Sequence, residues 1–98
     1  MNAPYNPNRA GQLAAILAAL PGNDTHTQRQ RMLAAIRELG SVTTFEGSRF
    51  LDVYDPRARV CELRKTGSRI KTVMRPEQTE SGVIHRVGVY LLESVTHG

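Results

Sequence analysis

The sequence predicts an α+β fold, a three-helix core followed by a C-terminal two-stranded β-hairpin, with one extra short helix at the N-terminus. Three observations carry that expectation. Apolar residues recur at helical spacing as far as Lys65, and each stretch has its own start and stop residues. From Ser68 the period changes to two and β-branched residues accumulate. A length of 98 residues, 40% hydrophobic and 22% charged, suits one small globular core and leaves no room for a second.

Residues 1–11 contain Pro4, Pro7, Gly11 and three Asn and read as a flexible arm. Gln12 to Leu20 (QLAAILAAL) places Leu13, Ile16, Leu17 and Leu20 at i, i+3, i+4 and i+7. A helix this short does not persist alone, so it packs either on its own domain or on a second copy of the chain, a homodimer through Gln12–Leu20. Residues 21–24 (PGND) break the pattern. The next helix starts near Thr25 or Thr27, because Thr25-x-x-Gln28 and Thr27-x-x-Gln30 both have the form of a capping box. Its apolar stripe is Met32, Leu33, Ile36 and Leu39, with Arg29, Arg31 and Arg37 on other faces and Gly40 as the stop.

Ser41-Val42 reads as a short extended link, and Thr43 with Glu46 as a second capping box. The short helix it opens is expected to bury Phe45, with Phe50 and Leu51, and to end around Asp52. Gly47 weakens that helix by up to about 1 kcal/mol relative to Ala, which points to a neighbouring helix passing close by. Asp55-Pro56 is the clearest start signal: Asp caps, and Pro takes the first helical position, where its missing N–H costs nothing. That helix runs through Lys65 and stops at Gly67.

In the first strand Arg69, Lys71, Val73 and Arg75 share one face, and Ile70, Thr72 and Met74 the other. Pro76 to Gly82 reads as a polar loop and Val83 to Leu92 as the return strand, with Gly88 marking a bulge. The inward face of that strand is left open between Val87, Val89 and Leu91 on one side and Tyr90 and Leu92 on the other. The expected organisation is an arm with a short helix over residues 1–24, a folded domain over 25–93 and a tail over 94–98.

Three helices followed by a hairpin, with only a few residues between the second and third, form the winged helix-turn-helix arrangement. From Thr27 to Leu92, about two-thirds of the chain, the sequence resembles the small helix-turn-helix domains of phage and prophage proteins and related bacterial regulators. The resemblance rests on Gln30-Arg31-Met32-Leu33, on Leu39-Gly40-Ser41-Val42-Thr43-Thr44, on Ala58-Arg59-Val60-x-Glu62-Leu63-Arg64-x-x-Gly67-x-x-Ile70 and on Tyr90-Leu91-Leu92. It implies binding of double-stranded DNA with the third core helix in the major groove.

The residues support the same reading independently. With Val60 at zero and 100° per residue, Pro56, Leu63 and Gly67 fall within about 60° of it and form an inward seam. Ala58, Cys61, Glu62 and Lys65 lie opposite, with Arg57 and Arg59 on the two edges. Arg57 suits a bidentate contact to guanine, Glu62 can accept from cytosine, Ala58 can touch a thymine methyl, and Lys65 suits phosphate. Arg59 divides between phosphate and a surface pair, and Arg64, nearer the seam, is expected to pair with Glu38 or Glu46. Thr44, at a helix start, either contacts phosphate or caps alone. Arg69, Lys71 and Arg75 form a basic ridge that Arg86 extends, whereas the hairpin tip carries Glu77 and Glu80 and no basic residue. The tip is therefore expected to stay out of the minor groove or to touch another protein.

The overall charge of +4 is concentrated. Residues 55–75 hold seven basic side chains against Asp55 and Glu62. A polyanion is the matching partner. Three scattered His and a single cysteine, Cys61, give no metal-ligand spacing and no disulfide framework, and no phosphate-loop or nucleophile signature occurs. No enzyme, metal or cofactor is expected. No apolar run reaches the ~18 residues of a membrane span, and no secretory leader is recognisable, so the expected compartment is the cytoplasm. The expected role is sequence-specific transcription control of the phage or prophage type. A recombination directionality or architectural DNA-binding factor, and a winged helix module that inhibits a host protein, are the alternatives.

Overall fold

A computed structural model of the chain describes residues 8–78 and 80–93. The elements are α1 (Arg9–Ala19), α2 (Thr25–Leu39), β1 (Val42–Thr43), α3 (Thr44–Arg49), α4 (Pro56–Lys65), β2 (Ile70–Gln78) and β3 (Ile84–Leu92). The three strands form one antiparallel sheet in the order β1-β3-β2. The architecture is α+β, as the sequence predicts, with one strand more. The Val42 link pairs with Tyr90, and Thr43 with Val89, so the hairpin is anchored to the helical layer by β1.

The core gathers Leu13 and Ile16 of α1, Met32, Ala35 and Ile36 of α2, Val42, Leu51, Val53, Val60 and Leu63 of the helix-turn-helix, and Ile70 and Tyr90 of the sheet. Tyr90 resolves the face of the return strand left open by the sequence. It shares a side with its partners Val42 and Thr72, and Val89, on the other side, is buried as well.

Several expected boundaries move. α1 starts at Arg9 rather than Gln12 and includes Gly11. Asn8 supplies no side-chain cap; the start is held by tertiary contacts, because Arg9 reaches Glu46 on α3 at 2.5 Å and the Ser41 carbonyl at 2.8 Å. Residues 1–7 of the expected arm, and the expected tail at 94–98, lie outside the described residues. Leu13 and Ile16 point into the domain's own core, so α1 packs on its own domain through these two residues. Asp24, not Thr25 or Thr27, caps α2; its carboxylate accepts from the Thr27 amide and hydroxyl. Phe45 is 58% exposed rather than buried, because α3 turns Gly47 inward. A Cβ on Gly47 would lie 2.8 Å from Met32 Sδ and 3.3 Å from Pro56 Cγ, so this glycine answers the close approach of α2 and α4. β2 continues through Pro76, Glu77 and Gln78, so the hairpin is longer than expected. The ladder stays regular through Gly88 with no bulge; Gly88 is there because a Cβ would lie 3.1 Å from the Thr44 hydroxyl.

Two capping predictions hold in full. Thr43 and Glu46 exchange side-chain hydrogen bonds with each other's amides, 2.9 Å and 3.0 Å, and Asp55 accepts from the Ala58 amide ahead of Pro56.

A pair of buried polar residues on α2 joins the two turns that flank it. Gln28 donates to the Asn23 carbonyl at 2.7 Å and accepts from the Tyr54 amide at 3.1 Å. Arg31, 2% exposed, donates to the carbonyls of Leu20 at 2.8 Å, Gly22, and Leu51 at 3.3 Å. Expected on an outward face, Arg31 is in fact the largest fully buried side chain. Its guanidinium presents rigid donors to carbonyls that helix ends and turns leave unpaired.

Arg31→Met should destabilise the fold by about 2–4 kcal/mol, because buried carbonyls lose their donors. A thermal melt showing a loss below about 1 kcal/mol would contradict the bridging role. Burial pushes the Glu46 carboxyl up, but hydrogen bonds from Arg9 and Thr43 outweigh it and hold the group below its ordinary value. A carboxyl depressed in the folded state stabilises fully above its unfolded pKa, and that stabilisation is lost as the pH falls through the folded value. Glu46→Gln should therefore be less stable at neutral pH and show a shallower loss of Tm on acidification; parallel curves would refute the coupling.

Candidate nucleic-acid interface

α4 is the element on which an outward chemical surface is built. Its inward side buries Pro56, Val60 and Leu63, the seam expected from the rotation. Arg57, Cys61 and Lys65 are exposed, and Ala58, Arg59 and Glu62 are half-buried. Asp55 and Pro56 set the helix start and so place Arg57 and Ala58 in its first turn.

The cations of this region divide by what they already hold. Arg57, Lys65, Lys71 and Arg86 are exposed and make no ion pair or hydrogen bond among the described residues. Arg69 stands 4.0 Å from Glu93 with 70% of its side chain exposed, a contact too long and too wet to hold it. Arg75 pairs with Glu77 at 3.0 Å. Arg59 faces Glu62 through its Nε at 2.9 Å, and Arg29 on α2 reaches the same carboxylate at 3.0 Å. Hydrogen bonding from Arg29, with the charges of both arginines, holds the Glu62 carboxyl below its ordinary value. Glu62 is thus an anion between two arginines and not a free acceptor for cytosine, and of the two roles weighed for Arg59 the ion pair is the one present.

Arg64 departs from expectation. It donates to the Ile70 carbonyl at 2.8 Å and to the Thr72 hydroxyl at 2.9 Å, joining the end of α4 to β2. Neither Glu38 nor Glu46 is its partner, since Glu46 is taken by Arg9. The Thr44 hydroxyl lies 3.2 Å from that of Tyr90 and 3.4 Å from the Gly88 carbonyl, so it fastens α3 to the sheet.

The strand register also corrects the basic ridge. Lys71 pairs with Leu91 and Arg75 with Val87, on one face with Val73. Arg86 pairs with Pro76, which places it on the opposite face with Tyr90, Ile70 and Met74. Arg86 therefore does not extend the Lys71–Arg75 ridge, and cations flank the hairpin on both sides.

Sequence reasoning missed Arg29, which belongs here because α2 packs along α4. It also missed Arg49, which lies 5.9 Å from the Phe45 ring centre and 5.7 Å from that of Phe50. These three residues, two on α3 and one at its C-cap, line an open groove with Arg75, His85 and Val87 of the hairpin. Phe-x-x-x-Arg spacing on a six-residue helix carries no signal that separates such an exposed cluster from a core one.

No helix of the described residues is long and apolar enough to cross a membrane. No curated protein and no solved structure matches the chain. The profile of the winged helix-turn-helix domain matches residues 27–95, which leaves α1 outside it. The order α2-β1-α3-α4-β2-β3, with β1 and β2 flanking β3, supplies the helices, turn and wing of that domain. With its tight α3–α4 turn and its hairpin built onto the helical layer, the chain belongs to the winged helix-turn-helix domain family.

Proposed function

We propose that the chain binds double-stranded DNA with α4 in the major groove and acts as a sequence-specific transcriptional regulator of the phage or prophage type. The observation that carries this reading is the set of free cations, Arg57 and Lys65 on α4 and Lys71 and Arg86 on the wing, exposed beside a helix whose outward face is otherwise small or neutralised. Affinity comes from phosphate contacts by Lys65, Lys71, Arg86 and the loosely held Arg69. Sequence choice comes from Arg57 and Ala58 in the first turn of α4. The Arg29–Glu62–Arg59 cluster stiffens the helix surface and presents two guanidinium edges to the backbone. Arg75, tied to Glu77, joins the interface only where phosphate outcompetes that carboxylate, and Thr44 lends its amide rather than its hydroxyl. A single domain reads a short site, so two copies on a palindrome or in tandem are required.

One observation favours a second reading, an architectural or recombination directionality role. Met74, Val83 and Ile84 on the wing are 45%, 52% and 67% exposed, and apolar side chains of this kind wedge between base steps and bend DNA.

Fluorescence anisotropy with duplexes from the chain's own genomic neighbourhood, across salt concentrations, tests both. We expect a log–log salt slope of about −4 per bound protomer, set by four to five phosphate contacts. Arg57→Glu should relax sequence choice at a cost of about 1–3 kcal/mol on the preferred site, whereas Lys71→Glu should weaken all duplexes alike and flatten the slope by about one. Absence of binding at low salt would overturn both DNA readings and favour a protein partner, met through Glu77 and Glu80 of the wing. Bending with tandem occupancy would select the architectural reading.

A further inference from the structure

A shallow groove runs between α1 and α2, on the far side of the molecule from α4. Its apolar floor is Ala15, Ile16, Ala19, Leu20, Leu33 and Ala34, and its rim carries Gln30, Arg37 and Glu38. The groove residues of α2 lie about 140° around that helix from the side carrying Arg29, Met32 and Ile36, at 100° per residue. That other side is the one whose Arg29 reaches Glu62 on α4. An occupant of the groove therefore leaves the α4-facing side of α2 free.

Two features of the rim point to what the occupant is. Arg37 and Glu38 are both exposed, and neither makes an ion pair or hydrogen bond among the described residues. Glu38 moreover sits in the last turn of α2, where the helix dipole disfavours an anion. No described side chain pairs with it. Adjacent unpaired charges of opposite sign make the surface complementary to itself. Under a two-fold axis Arg37 of one copy meets Glu38 of the other, twice.

We infer that this groove is a pairing surface for a second copy of the chain, with the α2 helices crossing and Arg37 and Glu38 exchanged between them. The small side chains of α1, Ala15 and Ala19, let the backbones approach, and Leu20 and Leu33 supply the buried apolar contact. The surface lies beside Leu13, which the core consumes, and only the outer edge of Ile16 borders it. Because α1 lies outside residues 27–95, it adds the α1 wall of this groove to an α2 face that belongs to the winged domain. The inference goes beyond the DNA reading and is tested in its absence.

Sedimentation of the full chain from micromolar to near-millimolar concentration reads the pairing directly. The wild type should form a dimer. Arg37→Glu and Glu38→Arg should each weaken it by about tenfold or more, since like charges then face each other at two places. An equimolar mixture of the two variants should pair again, because only the mixed dimer restores both contacts. Ala19→Arg should block pairing by bulk. All three side chains are exposed, so each variant should stay folded, with Tm moved by no more than the few degrees that a charge change in the last turn of a helix brings. A wild type that stays a single chain throughout, a dimer indifferent to the reversals, or a mixture that stays unpaired overturns the inference. A chain that fails to pair yet still binds duplex DNA leaves the proposed function standing and removes only this surface.

Discussion

The geometry of the helix-turn-helix depends on a polar bridge inside α2. Gln28 and Arg31, three residues apart and both 2% exposed, hold backbone groups from the α1–α2 link on one side and from the α3–α4 turn on the other. A buried guanidinium without a carboxylate is costly to desolvate, and it persists only where its donors find enough acceptors. Here the acceptors are carbonyls of Leu20, Gly22 and Leu51, which chain ends and turns leave without intrahelical partners. Burial and satisfaction thus explain each other. The consequence is mechanical: the path into α2 and the path into α4 are fastened to the same side chain, and the pose of α4 is set by it.

The same logic explains why α1, outside the winged domain proper, is part of its core. Arg9 grips Glu46, which itself completes the capping box of α3, and Leu13 and Ile16 fill the space above Met32 and Ala35. Around the outside, charge is sorted by pairing. Glu62 is shared by Arg29 and Arg59, Glu77 meets Arg75, and backbone and hydroxyl groups take Arg64. On α4 and the wing the described cations left unpaired are Arg57, Lys65, Lys71 and Arg86, of which three belong to the seven basic residues counted between 55 and 75. The helix offers base-reading chemistry at its first turn and phosphate chemistry at its end and along the wing.

How much of this was legible depended on the range of the interaction. The capping box at Thr43, the Asp55-Pro56 start, the Gly40 stop and the inward seam of α4 are local, fixed by residues three or four apart, and they stand as read. Gly47 was legible as a close approach because a glycine inside a helix has few other reasons to be there. The rest is non-local. The burial of Arg31, the pairing of Glu62 with Arg29 and of Arg64 with β2, and the start of α1 at Arg9 all depend on partners far along the chain that no periodicity announces. The two-residue strand β1 is too short for any alternation to show. Arg86 was misplaced for a simpler reason: a strand's faces follow from its own alternation, but which face matches which across a hairpin needs the register, and the sequence between the two strands gave no signal that set it.

The central claim is that α4, with the cations on either face of the wing, meets DNA while the α1–α2 side does not. Amide chemical-shift mapping of isotopically labelled protein with a bound duplex tests it most directly. The account predicts the largest shifts at Arg57, Ala58 and Lys65, with further shifts at Lys71 and Arg86, and none at Ala15, Ala19 or Leu33 when one protomer's worth of DNA is added. Shifts centred on the α1–α2 groove, or on Phe45 and Arg49 with α4 silent, would contradict it.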